Sequence, residues 1–341
     1  MPEVAVLVLN FNGKQFLKGC LGSLQATNCR SYETYLVDNA SEDGSVEYTS
    51  KNFPKVKIIK HSKNYGFSLG YNKAVNEVNA KYIMLLNNDV EITDDDWLTN
   101  LLKAIESDKR IAAVSAKLTF ANFPSIINSV GGALFRWTGA VNIGSRERDE
   151  GQYDNPPIEP FFACGGAMLL RRDAFLSVGG FDSKMFAYSE DLDLCWRLRL
   201  KGYRIAYCPK AVVKHVISAS WDSYGLYKVY LSERNLLRTM GKNYSLTSLF
   251  KNLSLFLLNR TIQMMFFSLL FRKQMVLYLY FRAILWNITN LPDTVKKRYI
   301  VQTTRKTREK EILESMADGR FEKFTEVLRK IRFDRKFFGM R

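Results

Sequence analysis

The chain has 341 residues, of which 47% are hydrophobic, 13% aromatic and 25% charged, and it contains only 20 glycines and 8 prolines. This composition excludes a collagen-like or wholly disordered protein, and the length suffices for one large α/β domain with an appendage or for two ordinary domains. The formal net charge is +16, and residues 241–341 alone carry 21 basic against 8 acidic side chains. The two parts of the chain are therefore expected to meet different partners.

The cysteines are five in number, scattered, and form no Cys-x-x-Cys pair: Cys20, Cys29, Cys164, Cys195 and Cys208. Neither a disulfide framework nor a zinc site is expected, and a reducing compartment is favoured. The first apolar run begins at Val4 without a basic leader or cleavage site before it, so no signal peptide is predicted. We expect the N-terminal part to stay in the cytosol.

Short β-branched runs alternate with segments of helical length through the first half of the chain. The predicted strands are residues 4–9, 34–37, 56–59, 82–86 and 112–116. This alternation is typical of an α/β fold with a mostly parallel sheet and flanking helices. Ligands in such sheets bind beyond the carboxyl ends of the strands.

Polar residues follow three of these strands, and together they suit a nucleotide-activated donor. The first two groups supply Asn10, Asn12, Asp38 and Asn39, and the carboxylate of Asp38 is suited to a base edge or ribose. Turn chemistry alone explains one such group, but three of them converge on one rim. A helix that starts near Asn64, Gly66 and Asn72 allows the backbone to approach the donor closely, and its N-terminus suits phosphate oxygens.

The third group, Asn87-Asn88-Asp89, supplies a carboxylate for Mg²⁺ or Mn²⁺. Such a cation commonly takes one or two protein carboxylates and completes its shell with water and phosphate. The alternative is that Asp89 only begins a turn. His215 follows an apolar run, where a histidine is either structural or a ligand.

Further along the chain, residues 142–160 lack periodicity and predict an exposed, mobile loop beside the site. Residues 161–170 predict a buried strand whose glycines, Gly165 and Gly166, allow a ligand or another backbone to approach. Ser189 is expected to cap a helix over 190–201. The acidic residues in its first turn either interact favourably with the helix dipole or supply a general base whose proton affinity is raised by the neighbours Glu190 and Asp193.

The order VLNFNG, VDNASEDGS, NYGFSLGYN, LLNNDVEI, CGGAMLLRRDAFLSVGGFD and SEDLDLCWRLRLKGYRI over residues 3–240 resembles the inverting family 2 glycosyltransferases, in particular the rhamnosyltransferase-like branch. The resemblance implies a GT-A nucleotide-diphospho-sugar transferase fold. It implies that Asp38 binds the base, Asp89 is the metal-binding acid, Asp191 is the catalytic base and His215 contacts metal or diphosphate. Asn87 and Asn88 depart from the family's acidic triplet, so ribose or metal contacts made by an Asp there must weaken or be replaced by amide oxygens.

Residues 245–290 are apolar but interrupted by polar and basic positions, so an uninterrupted membrane span is not expected. Between Glu233 and Asp293 the chain has basic residues and no acidic ones. This favours helices lying in a membrane interface, while a helical bundle or an oligomer contact is the alternative. After residue 292 a basic, partly helical tail is predicted, with helices over 309–316 and 321–331.

The sequence therefore predicts a catalytic domain over 1–240, a membrane-associating segment over 241–292 and a tail over 293–341. The expected activity is inverting transfer from a nucleoside-diphosphate sugar, dTDP-rhamnose or a UDP-sugar, to a lipid-linked or glycan hydroxyl in cell-surface polysaccharide or glycolipid assembly. The expected place is the cytoplasmic face of the cell membrane. A non-catalytic nucleotide-sugar-binding scaffold is the alternative. Nucleic acid is not an expected partner, because the basic surplus lies beside Leu-, Phe- and Met-rich segments.

Overall fold

The computed structural model describes residues 2–29, 31–216, 220–270 and 274–317, with backbone alone for 220–225 and 270. The strands in chain order are β1 (Val4–Asn10), β2 (Tyr32–Asp38), β3 (Lys57–Lys60), β4 (Tyr82–Asn87), β5 (Val90–Ile92), β6 (Ile111–Phe120), β7 (Phe123–Ser129), β8 (Gly132–Phe135), β9 (Gly139–Asn142), β10 (Ala167–Arg171) and β11 (Arg204–His215). The helices are α1 (Lys14–Leu24), α2 (Ser45–Asn52), α3 (Gly66–Glu77), α4 (Trp97–Glu106), α5 (Arg172–Ser177), α6 (Glu190–Leu200), α7 (Ser220–Asn243), α8 (Leu246–Leu270), α9 (Gln274–Thr289), α10 (Leu291–Thr303) and α11 (Glu309–Glu314).

The main sheet follows the order β3-β2-β1-β4-β10-β6-β11-β5, with β7 paired to β6. β1 to β4 are parallel, β10 lies antiparallel between β4 and β6, and β6 is parallel to β11. Helices cover both faces, so β1, β4 and β6 are buried almost throughout, which explains their continuous apolar runs. The predicted α/β class with a mostly parallel, mixed sheet is confirmed.

The five predicted strands correspond to β1, β2, β3, β4 and β6. The predicted strand over 161–170 is wrong in extent, because only its last part forms β10. Phe162 instead pairs with Gly132 at the start of β8, where a Cβ on Gly132 would lie 1.9 Å from the Phe162 ring. The first part of the segment therefore pairs with the start of β8, and the chain joins the main sheet only at β10.

The loop over 142–160 is irregular, but it is fixed to the sheet. Lys117 of β6 is buried, and its Nζ lies 2.9 Å from Asp149 Oδ2 and 2.7 Å from Asp154 Oδ2. Tyr207 of β11 donates to Asp154 Oδ1 at 3.0 Å. The sequence predicted an exposed, mobile loop. It did not reveal these contacts, because each of them joins positions at least 30 residues apart.

The predicted boundary at residue 240 falls inside α7, which packs on α6, α9 and α10. Helix α10 begins at the end of the predicted membrane-associating segment and continues into the predicted, partly helical tail, where the first helix was expected only at residue 309. Its signal was Pro292 in the first turn followed by Asp293. The predicted helix over 309–316 appears as α11, whereas the one over 321–331 lies outside the described residues. Across the described ranges, no helix has both the length and the apolarity needed to cross a bilayer.

Candidate active site

The carboxyl ends of β1, β2 and β4 meet at one rim, where Asn10 joins their polar residues. Asn10 is fully buried. Its Nδ2 lies 3.2 Å from Asp38 Oδ1 and 3.0 Å from Ser41 Oγ, both acceptors for its amide hydrogens. Its Oδ1 accepts from Asn88 Nδ2 at 2.7 Å. The three predicted strand-end groups therefore form one hydrogen-bonded cluster.

Gly13 is required by this cluster, although the sequence analysis gave it no role. A Cβ at Gly13 would lie 2.0 Å from Asn88 Nδ2 and 2.7 Å from Asn10 Oδ1. Any larger residue must displace one of these amides. The only signal in the sequence was a single glycine placed three residues after the strand end.

Asp38 is buried, and its two carboxylate oxygens each accept one hydrogen bond. Oδ1 accepts from Asn10, and Oδ2 accepts the N–H of Ser41 at 3.0 Å. An ionised carboxylate accepts about four hydrogen bonds, so capacity remains for a ligand N–H or hydroxyl. Asn12, with φ of 49°, accepts the N–H of Glu42 at 2.8 Å and shapes the loop after β2.

The amides of the remaining asparagines are engaged within the protein. Asn39 Nδ2 donates to Gly66 O at 3.0 Å, and its Oδ1 lies 2.8 Å from His61 Nδ1. Asn72 accepts the N–H of Phe181 and donates to the carbonyl of the same residue, both at 2.8 Å. These side chains brace α3, and their direct donor contacts stay predictions.

The N-terminus of α3 does not present free N–H groups, so the expectation of a phosphate site there is wrong. The carbonyl of Phe186 accepts the N–H groups of Phe67 at 2.7 Å and Ser68 at 3.1 Å. Asn64 Oδ1 accepts the N–H of Gly66 at 2.8 Å. The chain near Phe186 thus covers the helix end, a contact between segments that are about 120 residues apart.

Asp191 lies in the first turn of α6 with both carboxylate oxygens held. Oδ1 accepts the N–H of Leu192 at 2.8 Å, and Oδ2 accepts the N–H of Gly165 at 3.1 Å. Burial raises the pKa of Asp191 above its ordinary value, and these backbone hydrogen bonds partly oppose the rise. A carboxylate with a raised pKa is a better proton acceptor, as general-base work requires.

The neighbours of Asp191 differ in their effect. Glu190 is buried, its Oε2 has no hydrogen-bond partner among the described residues, and burial together with the charge of Asp191 raises the pKa of Glu190 well above its ordinary value. Asp193 lies 2.8 Å from both Arg197 Nη2 and Lys242 Nζ. These cations lower the pKa of Asp193 despite its burial. The expectation that Asp193 raises the proton affinity of Asp191 is therefore wrong.

The segment before α6 has an unusual backbone. Phe186, Tyr188 and Ser189 have φ values of 64°, 70° and 62°, in a region that non-glycine residues rarely adopt. Ser189 occupies the N-cap position, but its side chain makes no capping hydrogen bond, so the predicted cap is wrong in its chemistry. The left-handed backbone at Ser189 sets the direction of α6 instead.

Asn235 of α7 holds this segment in place, a role that the sequence analysis did not assign. Its Nδ2 lies 2.9 Å from the carbonyl oxygens of Met185 and Ala187 and 2.7 Å from that of Tyr188. Asn235 is fully buried. The signal available in the sequence was an amide residue within the segment that forms α7.

A buried ion cluster joins α6 to α7 and α10. Lys242 Nζ lies 2.6 Å from Asp182 Oδ2 and 2.8 Å from Asp193 Oδ1, and Arg238 Nε lies 2.7 Å from Asp182 Oδ2. Lys297 of α10 also pairs with Asp182. Burial alone would raise the pKa of Asp182, but the cations hold it well below its ordinary value. Arg238 and Lys242 therefore bind acids inside the protein and are not part of a lipid-facing surface.

Asp89 and His215 face each other beyond the ends of β4 and β11. Asp89 Oδ1 lies 3.3 Å from His215 Nε2. His215 Nδ1 lies 3.1 Å from Asn128 Oδ1, an oxygen that accepts an N–H, so Nε2 is the ring nitrogen that faces Asp89. Asn128 is a further residue that the sequence analysis missed.

This donor set fits a divalent cation carried by a diphosphate. It supplies one carboxylate and one imidazole, and no group of three or more His, Cys, Asp or Glu suited to metal binding occurs within the described residues. Mg²⁺ and Mn²⁺ accept such sparse protein coordination because phosphate oxygens and water complete the shell. A metal cage made of protein ligands alone is not what these residues form.

The family model of glycosyl transferase family 2 matches residues 5–179, more than half of the chain. The chain belongs to glycosyl transferase family 2. This family's members are transferases, and the chain is accordingly an inverting glycosyltransferase. Asp191 and His215 lie beyond the matched range, so their roles depend on the geometry described above.

Two curated relatives of this glycosyltransferase are similar over about two thirds of the chain. Over 246 residues it is 29% identical to the N-acetylglucosaminyl-diphospho-decaprenol L-rhamnosyltransferase of Mycobacterium tuberculosis (strain ATCC 25618 / H37Rv), covering 63% of this chain and 75% of that protein. It is 24% identical over 253 residues to the low-salt glycan biosynthesis hexosyltransferase Agl10 of Haloferax volcanii, covering 69% and 74%.

Solved structures share the fold. The mannosyltransferase PcManGT from Pyrobaculum calidifontis, in complex with GDP-Man and Mn²⁺, matches with a TM-score of 0.53 at 15% identity, covering 92% of this chain and 85% of that one. GalNAc-T7 with UDP, GalNAc and Mn²⁺ matches with a TM-score of 0.55 at 15% identity, covering 71% and 48%. The predicted GT-A fold is confirmed for this glycosyltransferase.

Proposed function

We propose that this glycosyltransferase moves a sugar from a nucleoside-diphosphate donor to a hydroxyl of a lipid-linked or glycan acceptor, with inversion, during cell-surface glycan assembly. The observation that carries the proposal is the partly buried carboxylate of Asp191, held by the N–H of Gly165. The strand-end cluster around Asn10 and the Asp89–His215 pair occupy the carboxyl ends of the sheet. The curated relatives named above support the acceptor class.

In the proposed reaction Asp191 accepts the proton of the acceptor hydroxyl as its oxygen attacks the anomeric carbon. Attack from the side opposite the diphosphate inverts that carbon. The raised pKa of Asp191 increases its proton affinity, and Gly165 and Leu192 keep the carboxylate oriented. A Cβ at Gly165 would lie 3.0 Å from Phe67 Cζ and 3.6 Å from Asp191 Oδ2, so a glycine here lets the backbone N–H approach the carboxylate.

On the donor side, Asp38 accepts hydrogen bonds from the base, while Asn10 and Asn88 fix its surroundings. Asp89 and His215 would hold Mg²⁺ or Mn²⁺, which supplies charge stabilisation for the departing diphosphate when bound. Mn²⁺ in the two structural neighbours supports a divalent cation for this chain. The donor sugar is proposed as rhamnose on dTDP, with a UDP-sugar as the alternative.

We further propose that α8, α9 and α10 lie on the cytoplasmic face of a membrane. Each of these helices leaves large apolar side chains at least half exposed: Leu246, Phe250, Leu258, Ile262, Met265, Leu269, Met275, Tyr278, Phe281, Leu285, Ile288, Leu291, Val295, Tyr299 and Ile300. A contiguous exposed apolar surface marks a membrane or protein contact. Basic side chains are expected to contribute less to membrane binding than the sequence implied, because Arg238 and Lys242 are internal.

The test is donor-dependent thermal protection followed by turnover. dTDP-rhamnose and a panel of UDP-sugars are added to the full chain with Mn²⁺, with Mg²⁺ and with excess chelator, and the melting temperature and nucleoside diphosphate release are recorded. One donor class should raise the melting temperature in a metal-dependent way. Protection without any turnover on lipid-linked acceptors would favour the non-catalytic scaffold instead, and full activity in chelator would exclude the metal role.

A further inference from the structure

A cationic cavity of about 270 Å³ lies between the first turns of α8, the β8–β9 turn and α11. Five of the eight residues that line it have polar or charged side chains: Arg136, Trp137, Thr247, Ser248, Lys251, Asn252, Leu255 and Leu313 form the lining. These elements differ from the strand ends that form the candidate active site. The size suits a small head group and is below that of a typical drug-sized ligand pocket.

Among the residues that the structure describes, no acidic side chain pairs with the two cations of this cavity. Arg136 donates Nη2 to the carbonyl of Leu313 at 3.0 Å, and its buried Nε has no hydrogen-bond partner among the described residues. Lys251 is exposed, and no ion pair involves it in the described part of the chain. Glu309, which accepts the N–H of Ser245 just before α8, is itself 2.7 Å from Arg305.

The cavity continues into an apolar stripe on the same face of α8. Lys251, Leu255, Leu258, Ile262 and Leu269 follow one another at spacings of four, three, four and seven residues, which places them on one side of a helix. Leu255 lines the cavity and is 40% exposed, while Leu269 at the far end is 78% exposed. From Lys251 to Leu269 the stripe is about 27 Å long at the rise of an α-helix.

We propose that this cavity binds the phosphate group of an anionic membrane lipid, with Arg136 and Lys251 as its cations and the apolar stripe of α8 against the acyl chains. The guanidinium offers N–H donors in a planar fork that matches phosphate oxygens. The hydroxyls of Thr247 and Ser248 add neutral donors. The site goes beyond sugar transfer, but it depends on the proposed membrane contact of α8.

The experiment measures sedimentation of the full chain with phosphatidylcholine vesicles, with and without phosphatidylglycerol. Lys251→Gln and Arg136→Gln should each weaken the phosphatidylglycerol-dependent binding about fivefold or more. Binding to pure phosphatidylcholine should be unchanged, and Lys251→Arg should retain the wild-type preference. Thermal unfolding of each variant checks that the fold is kept.

Lys296→Gln is the matched control, because Lys296 is an exposed lysine on neighbouring α10 and its loss changes the net charge equally. Lys296→Gln should weaken phosphatidylglycerol-dependent binding less than twofold. Equal losses of phosphatidylglycerol-dependent binding in Lys251→Gln and Lys296→Gln would overturn the proposed lipid site, because general surface electrostatics would then explain the binding. Competition by millimolar inorganic phosphate or glycerol phosphate, with no lipid preference, would assign the site to a soluble phosphate. Membrane binding with none of these effects would leave the proposed function standing and this inference rejected.

Discussion

At the residue scale, the candidate base is defined by what surrounds one carboxylate. Asp191 is oriented by two backbone N–H groups, one from its own helix and one from Gly165. Its raised pKa comes from burial, because the nearby Asp193 is already neutralised by Arg197 and Lys242. Within three residues of one helix, Asp191 therefore has the raised proton affinity and Asp193 has the compensated charge.

Asp191→Asn should lower the rate constant for transfer by about 10² to 10⁴ while leaving donor affinity nearly unchanged. The amide keeps the shape of the side chain but cannot take up the acceptor proton. The measurement is steady-state kinetics together with donor binding by calorimetry. Asp173→Asn, at an exposed position on α5, is the control. Wild-type turnover in Asp191→Asn would remove this residue from the mechanism.

Glu190→Gln should stabilise the protein more at pH 8 than at pH 5. Burial and Asp191 raise the pKa of Glu190 above its ordinary value of 4.5, so the folded state holds a proton that the unfolded state has released. The free energy of unfolding of the wild type therefore falls as pH rises above about 4.5, and glutamine abolishes that loss.

Thermal unfolding of wild type and Glu190→Gln at the two pH values measures this difference. Glu150→Gln, at an exposed carboxylate, should show no comparable change with pH. A stability difference that is the same at pH 5 and pH 8, or larger at pH 5, would contradict the assigned pKa direction.

At the element scale, α7 connects the base-bearing helix to the C-terminal helices. Its Asn235 holds the carbonyls before α6, and its Lys242 and Arg238 neutralise Asp182 and Asp193. Helix α7 is thus part of the structure that positions Asp191.

Lys242→Met should lower the free energy of unfolding by about 3 to 5 kcal/mol, because removing one partner leaves buried carboxylates short of a cation. Urea denaturation measures it, with Lys210→Met at an exposed position of β11 as the control. A loss below about 1 kcal/mol would show that Arg197, Arg238 and Lys297 suffice to neutralise the cluster.

At the scale of the whole molecule, the exposed apolar surface of α8 to α10 determines where the enzyme is expected to work. Polar Asn252 of α8 is buried, whereas Leu258 and Ile262 are 63% and 59% exposed. Helix α8 buries Phe256 and Met264 against the protein and leaves a second apolar face exposed, and hydrophobic transfer to lipid is the force expected to drive association.

The double variant Leu258→Ser/Ile262→Ser should reduce vesicle binding at least tenfold without lowering the melting temperature. Each exposed side chain loses a transfer free energy to lipid of about 1.5 kcal/mol or more and little packing. Vesicle flotation measures the first quantity and calorimetry the second. Leu176→Ser, at a 40% exposed position of α5, should leave binding unchanged. A drop in melting temperature with unchanged flotation would show that α8 packs against protein in solution.

The sequence by itself determined the strands, the polar groups that follow them and the family, because periodicity and turn chemistry are local and the motifs are contiguous. Asp38, Asp89 and Asp191 were predicted as site residues in this way. It did not reveal Asn128, Asn235 or the requirement for Gly13, because each of these roles depends on at least one partner 47 or more residues away along the chain.

Only the tertiary structure decided which charges are internal. The run of basic residues without acids between Glu233 and Asp293 suggested a lipid-facing surface, yet Arg238 and Lys242 pair with Asp182 and Asp193, at least 49 positions earlier. The same long-range packing covers the N-terminus of α3 with the carbonyl of Phe186. Charge compensation and burial depend on which segments meet in space, and no local pattern records that.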